Sequence, residues 1–235
     1  MDIIRRPFKY SNYNTVYWLI GINVLIFVAM MFIGHKVVAH MDVQNLELEN
    51  RHGQQIDRII LTISDVLSMI PQAVLKNGAI WTFVTYMFMH GSYTHILFNM
   101  LGLFIFGIHV ERQMGSKEFL LYYFVTGSLA GVLSFAVYCF TGTFIVSLVG
   151  ASGALYAVQL AYAVFFPNSV VYIWGIIPLR APIMVLGFTA LSLFFVITGG
   201  GGKVAHLTHL AGFAFGWIYF MVRFGVSPLR RLLGR

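Results

Sequence analysis

Residues 15–34 form an almost unbroken apolar run, TVYWLIGINVLIFVAMMFIG. About 20 such residues are enough for an α-helix to cross a hydrocarbon core ~30 Å thick. The run is too long for the core of a signal peptide and has no clear small-residue cleavage site, so it predicts a retained membrane helix. Further apolar blocks follow along the chain, at about 93–110, 119–140, 152–166, 181–197 and 204–222.

These blocks predict an all-α polytopic membrane protein with six transmembrane helices. Hydrophobic residues make up 59% of the 235 and charged residues 10%, which excludes an ordinary soluble domain and a disordered chain. The fourth predicted helix is short and begins at Ser152. With residues 143–150 as loop, irregular backbone lies at membrane depth, which is tolerated only where it lines a water-accessible cavity.

The first loop, at about 35–80, differs in character from the spans. It mixes both signs of charge with short apolar clusters such as Ile59-Ile60-Leu61. This pattern favours a structured, partly helical segment on the membrane surface over a linker. We expect residues 1–235 to form a single membrane domain.

The distribution of basic residues predicts an orientation. With six crossings, the termini and the second and fourth loops share one side and carry ten of the 15 lysines and arginines, against five on the other side. The positive-inside rule then places both termini in the cytoplasm and the loop at 35–80 outside. The net charge of +7 comes from short basic clusters beside apolar stretches, as the positive-inside rule expects. These clusters form no stripe and no known nucleic-acid motif, so no nucleic-acid partner is expected.

Ser152 is the first candidate for chemistry, within Gly150-Ala151-Ser152-Gly153. A serine hydroxyl needs a neighbouring base, and His209 in the last apolar block is the candidate. Gly212 and Gly216 follow it at i+3 and i+7, so a second helix can approach that face closely. The pattern predicts a Ser152–His209 dyad, with Tyr156 one turn beyond the serine, where its ring can stack on the imidazole.

The dyad has no predicted acidic third member. Between residues 81 and 235 the carboxylates are Glu111 and Glu118, and both fall at the opposite end of the membrane from Ser152. Acyl transfer also requires donors for the developing oxyanion. His95 and Asn99, spaced i, i+4 in the second block, and the backbone N–H of Ser152 are the candidates, and His90 is expected to support them from the adjoining loop.

Each of these residues alone has a commoner structural role. Serine and asparagine in membrane helices often hold helices together, and an intramembrane histidine often belongs to a structural or proton-transfer site. A metal site from His206, His209, His90 and His95 is a further alternative, but no His-Glu-x-x-His or carboxylate partner accompanies them. With one cysteine, Cys139, no internal disulfide is possible. The presence of all the parts in three separate segments favours a serine hydrolase without metal or cofactor.

The motifs from Trp81 to about Phe220 resemble the rhomboid family of intramembrane serine proteases. The resemblance is carried by five groups: His90 with His95-Ile-Leu-Phe-Asn99, Glu111-Arg112, Gly150-Ala-Ser152-Gly, Tyr156, and His209 with Gly212 and Gly216. It implies an acyl-enzyme mechanism at the dyad, transmembrane protein substrates, and contact with membrane lipids. It also implies a bacterial cell membrane, an active site opening to the external side, lateral substrate entry near the fifth span, and a first loop half immersed in the outer leaflet.

Two residues depart from the family pattern. Trp81 is followed by Thr82 where the family often has arginine, and Thr208 precedes the histidine where alanine is common. We expect the Thr208 hydroxyl to bond back to its own helix. The alternatives are a catalytically inactive rhomboid-like protein that binds transmembrane clients, or a transporter, although the chain lacks visible internal repeats.

Overall fold

The structure, a computed structural model, describes residues 8–42, 58–173, 175–199 and 203–232. Its helices are α1 (Thr15–Ile33), α2 (Ile63–Leu67), α3 (Pro71–Asn77), α4 (Thr82–Thr85), α5 (Tyr93–Gly102), α6 (Ile108–Met114), α7 (Ser116–Phe140), α8 (Ser152–Phe165), α9 (Ala181–Thr198), α10 (Lys203–Tyr219) and α11 (Pro228–Leu232). A π-helical turn, Leu103–Gly107, joins α5 to α6, and another, Phe220–Phe224, extends α10.

Five helical segments are long and apolar enough to cross a membrane. They are Thr15–Ile33, Tyr93–Met114, Ser116–Phe140, Ala181–Thr198 and His206–Phe224. Each coincides with a predicted block, and the second, predicted to end at about 110, continues to Met114 through the π-helical turn and α6. The remaining block is the shorter α8, whose 14 residues rise about 21 Å, so a sixth crossing stays a prediction.

Helix α8 occupies the centre of the helical core. It packs against α7, α9 and α10. Its small residues, among them Gly153, Ala154 and Ala157, are buried and allow neighbouring helices to approach. A helix that is apolar all round is expected to be enclosed by others. The serine at its start is therefore held by the most constrained element of the fold.

The prediction of an all-α protein is wrong for two connections. Strands β1 (Val37–Asp42) and β2 (Arg58–Thr62) pair antiparallel in the first loop, and β3 (Val170–Ile173) pairs with β4 (Ile177–Arg180) between α8 and α9. β-branched residues favour strands, and Gly175 adopts a positive φ of 70° in the second connection. Short strands of this kind have no apolar periodicity that distinguishes them from a helical block.

The first loop contains the predicted helical pieces, α2 and α3. A bridge between Met69 and Leu148 joins this loop to the segment that precedes Ser152. The indole N–H of Trp81 donates to the carbonyl of Val66 at 2.9 Å. Part of the predicted surface loop, residues 43–57, lies outside the described residues, and the location of the loop at the outer leaflet stays a prediction.

The two carboxylates at the other end of the bundle are buried in specific interactions. Glu111 accepts hydrogen bonds from the backbone N–H groups of Thr15 at 2.6 Å and Val16 at 2.9 Å, and so caps the start of α1. Glu118 forms an ion pair with Arg223 at 2.8 Å. The two glutamates therefore connect α6 to the start of α1, and α7 to the π-helical turn that extends α10.

Candidate active site

Ser152 is the first residue of α8, and its position depends on Gly150. The glycine has a φ of 113°, which side chains rarely permit. A Cβ built on it would also lie 2.5 Å from Nε2 of His95. The Gly150 N–H donates to the carbonyl of Tyr86 at 2.9 Å. Glycine at this position lets the loop pass close to His95 before the helix begins.

The structure brings Ser152 and His209 together. Nε2 of the histidine lies 2.8 Å from Oγ of the serine, a normal hydrogen-bonding distance. The contact depends on close packing of α8 against α10, because a Cβ on Gly212 would collide with the carbonyl of Gly153. The two glycines therefore bring the backbones near enough for the hydroxyl and the imidazole to meet.

The His209 ring is held by Tyr156. The two rings are stacked with centroids 4.3 Å apart and planes 9° from parallel. The Tyr156 hydroxyl lies 3.0 Å from Oγ of Ser192 in α9, which is itself buried. Ser192 belongs to no recognisable motif, although a serine within an otherwise apolar span is a signal for a helix-to-helix hydrogen bond.

The second ring nitrogen of His209, Nδ1, is buried and has no hydrogen-bond partner within the described residues. The carboxylates of Glu111 and Glu118 bond to groups at the other end of the helices. The neighbouring His206 packs on Phe195 with ring centroids 4.7 Å apart. The geometry therefore offers a serine–histidine pair oriented by packing instead of by an acid.

His95 and Asn99 lie on one face of α5, and both line the cavity described below. Ser92 caps this helix, since its hydroxyl accepts from the His95 N–H at 3.1 Å. Nδ2 of Asn99 donates to the His95 carbonyl at 3.0 Å, and an amide nitrogen carries a second N–H. The two side chains are positioned beside Gly150, next to the serine.

His90 contacts His95 edge-on, with ring centroids 5.1 Å apart. Burial, and then the charge that His95 can carry, lowers the pKa of His90 to about 4. Its imidazole is therefore neutral at neutral pH. A backbone hydrogen bond at Phe88 opposes this shift, and the contact of His90 with His95 is one of packing.

The two departures from the family pattern are both buried. The Thr208 hydroxyl lies 2.8 Å from Oγ of Ser134 in α7. This contact is made across helices, and the bond of Thr208 back to its own helix stays a prediction. Thr82 donates from its hydroxyl to the Ala79 carbonyl at 2.6 Å, within the turn that leads into α4.

A cavity of about 1170 Å³ opens beside the serine and the histidine. His95, Asn99, Ser152, Tyr156 and His209 line it near one end. Residues of β3, which follows the far end of α8, line it as well, together with residues of α9. The cavity therefore extends along α8, between the α5–α6 segment and α9, and gives the hydroxyl a space larger than a water site requires.

The sequence model of the rhomboid domain matches residues 77–226, more than half of the chain. The chain belongs to the rhomboid family. Among curated relatives of this family, RHOMBOID-like protein 12, mitochondrial, of Arabidopsis thaliana is 30% identical over 62% of the chain and 47% of its own length. Rhomboid-related protein 2 of Mus musculus is 32% identical over 58% of the chain and 46% of its own length. Rhomboid protease GlpG of Haemophilus influenzae is 29% identical over 61% of the chain and 70% of its own length.

The chain spans about half the length of the first two of these relatives. Rhomboids are generally intramembrane serine proteases, and the apolar helices together with the family establish an integral membrane protein. Within the described residues no group of three or more His, Cys, Asp or Glu side chains is arranged to hold a metal ion. The polar side chains that line the cavity of this rhomboid include hydroxyls, imidazoles and carboxamides.

Proposed function

We propose that this chain is an intramembrane serine endopeptidase that cleaves a peptide bond in or near the transmembrane segments of membrane proteins. The observation that carries the proposal is the 2.8 Å contact between Nε2 of His209 and Oγ of Ser152. A serine becomes an effective nucleophile when an adjacent base takes its proton. The two residues line a cavity, and the chain belongs to a family of intramembrane proteases, so transmembrane proteins are the expected class of substrate.

In the proposed reaction, Oγ of Ser152 attacks the scissile carbonyl carbon while its proton moves to Nε2 of His209. The tetrahedral intermediate collapses to an acyl-enzyme as the C–N bond breaks, and the imidazolium returns the proton to the leaving amine. Water then attacks the ester, with His209 again as base. Release of the acid restores the serine hydroxyl, so no metal or cofactor takes part in the cycle.

The developing oxyanion requires donors, which we assign to His95, Asn99 and the backbone N–H of Ser152. That N–H is at a helix start and has no intrahelical partner. Each such donor is worth roughly 3–4 kcal/mol of the barrier in well-studied hydrolases. Gly150 permits the approach of His95, while His90 packs behind it in a supporting role.

The base is proposed to work without an acid. Tyr156 fixes the plane of the His209 ring by stacking, and Gly212 fixes its distance by allowing α10 to contact α8. An aspartate would both orient the ring and stabilise the imidazolium. Here only the orientation is supplied, by packing.

The arrangement in the membrane forms part of the same proposal. Six crossings, with α8 as the short fourth, place the start of α8 and the first loop on one side and both termini on the other. The excess of basic residues on the side of the termini supports a cytoplasmic location for them and an external opening for the site. We propose a single domain over 1–235, in contact with lipids of a bacterial cell membrane, with substrates entering laterally near the fifth span.

A rhomboid-like protein that binds clients without cutting them is the second candidate. Such a protein does not need the serine and the imidazole in contact, and their 2.8 Å separation favours the protease. The test is labelling of the purified protein by a fluorophosphonate, with Ser152→Ala as the control, alongside cleavage of a panel of transmembrane reporter segments. We expect labelling and cleavage of the wild type only.

Labelling that persists in Ser152→Ala would refute the assignment of the nucleophile. If a chelator stopped cleavage and Ser152→Ala did not, a metal mechanism would replace the dyad. A folded wild-type protein that binds reporters but is neither labelled nor able to cleave them would support the inactive alternative.

A further inference from the structure

Gln159 is a polar residue on the cavity wall that the proposed reaction does not use. It lies in α8 between Val158 and Leu160, and the residue is 8% exposed. Its Oε1 atom is buried and has no hydrogen-bond partner within the described residues. A buried amide oxygen without a partner is costly, and in a lipid environment water is less available to satisfy it.

The position of Gln159 relates it to the serine. Ser152, Tyr156 and Gln159 are spaced i, i+4 and i+7, so they lie on one face of α8. At a rise of 1.5 Å per residue, Gln159 is about 10 Å from Ser152 along the helix axis, toward the end that leads to β3. It therefore lies along the path of a chain that extends down the cavity from the serine.

The cavity fits a length of polypeptide. Its volume of about 1170 Å³ exceeds the ~300–1,000 Å³ of common small-molecule sites. The wall of the cavity also includes apolar side chains such as Phe106, Met184 and Phe188. These suit the apolar residues of a transmembrane segment, but they provide no partner for main-chain N–H and C=O groups.

A transmembrane helix must unwind locally before one of its carbonyl carbons can reach Ser152. The unwound peptide groups lose their intrahelical hydrogen bonds and need new partners at membrane depth. A glutamine carboxamide offers one acceptor and two donors, and rotation about its last bond presents either end. Gln159 can therefore pair with a main-chain peptide group that crosses the cavity.

We infer that the Gln159 carboxamide binds a main-chain peptide group of the substrate, in an extended segment about three residues from the scissile bond toward the β3–β4 end. The count follows from about 10 Å divided by the ~3.3 Å rise of an extended residue. The inference rests on the proposed function. Gln159 is thus a substrate-binding residue that selects for segments able to unwind there.

The test uses the purified full chain and a synthetic transmembrane peptide that the wild type cleaves. In this peptide, one amide at a time is replaced by an ester at the second to sixth residues from the scissile bond, on the side that lies toward β3 and β4. The ester removes the N–H and weakens the carbonyl as an acceptor. Rates are expressed per enzyme molecule labelled by a fluorophosphonate, so that losses of fold or of the dyad do not enter the comparison. The matched variants are Gln159→Met, which is apolar and similar in size, and Leu155→Met, one turn away on the same wall.

In the wild type we expect the ester near the third residue to lower kcat/KM about five- to tenfold, as for the loss of one hydrogen bond. In Gln159→Met the same ester should have no effect beyond that at the other positions, while Leu155→Met should keep the wild-type pattern. Identical ester profiles in the wild type and Gln159→Met would overturn the inference and reduce Gln159 to a packing residue. Failure of the proposed function would be a different result, namely wild-type protein that is not labelled.

Discussion

Replacement of Gly212 by alanine tests the packing that brings the dyad together. A methyl group at this position would overlap the carbonyl oxygen of Gly153, which is a backbone atom and cannot rotate away. Helices α8 and α10 must then separate by at least ~1 Å to restore van der Waals contact. Since Ser152 lies in α8 and His209 in α10, the separation increases the distance between their reactive atoms.

The substitution is expected to lower both the stability of the protein and its activity. Overpacking of this kind costs about 1–3 kcal/mol of unfolding free energy. The Nε2 to Oγ distance of 2.8 Å would rise beyond ~3.5 Å, where a hydrogen bond is no longer made. A misplacement of about 1 Å in a catalytic group can cost about 100-fold in rate. We therefore expect kcat/KM to fall about 100-fold while the protein still folds at moderate temperature.

The assay compares reporter cleavage, fluorophosphonate labelling and thermal unfolding for Gly212→Ala and for Gly187→Ala. Gly187 is a glycine in α9 whose added Cβ would meet nothing within 4 Å, so this control adds the same methyl group without a clash. We expect Gly187→Ala to keep both activity and stability. If Gly212→Ala cleaved and unfolded like the wild type, the packing argument would be refuted.

Substitutions at three further residues probe the neighbouring side chains. His209→Ala should lower cleavage by at least ~100-fold because the general base is lost, and retained activity would direct attention to His206. Asn99→Ala should lower kcat about 100-fold with little change in KM, since its bond strengthens only as the oxyanion forms, and equal losses in both would indicate a structural role. Tyr156→Phe should lower the free energy of unfolding by about 1 kcal/mol, because the hydrogen bond to Ser192 is lost. Tyr156→Ala should also lower kcat, because the His209 ring loses its stacking partner. Equal rates for the two variants would contradict the stacking role.

The helical blocks were predictable because their signal is local. An apolar run of the right length is visible in consecutive residues, and the boundaries predicted at 15, 152 and 181 coincide with the starts of α1, α8 and α9. The hairpin at 170–180 was missed, since four-residue strands of apolar residues have the same composition as a membrane helix.

Side-chain partners were predictable only where small residues marked a close helix contact. Gly212 beside His209 indicated that another helix approaches that face. By contrast, the capping of α1 by Glu111 joins residues 96 positions apart, and the Thr208–Ser134 contact joins residues 74 apart. Nothing in the local pattern around either residue specifies such a partner.

The amino-acid sequence by itself determined that this chain is a membrane protein built from apolar helices, and it singled out the serine, the histidine and the amides capable of acyl-transfer chemistry. Those properties depend on composition and on spacing within single segments. Only the tertiary structure decided that Ser152 and His209, 57 positions apart, lie 2.8 Å from each other, and that Gln159 faces the same cavity. The physical reason is that distances between helices depend on how all of their side chains pack, and no single segment contains that information.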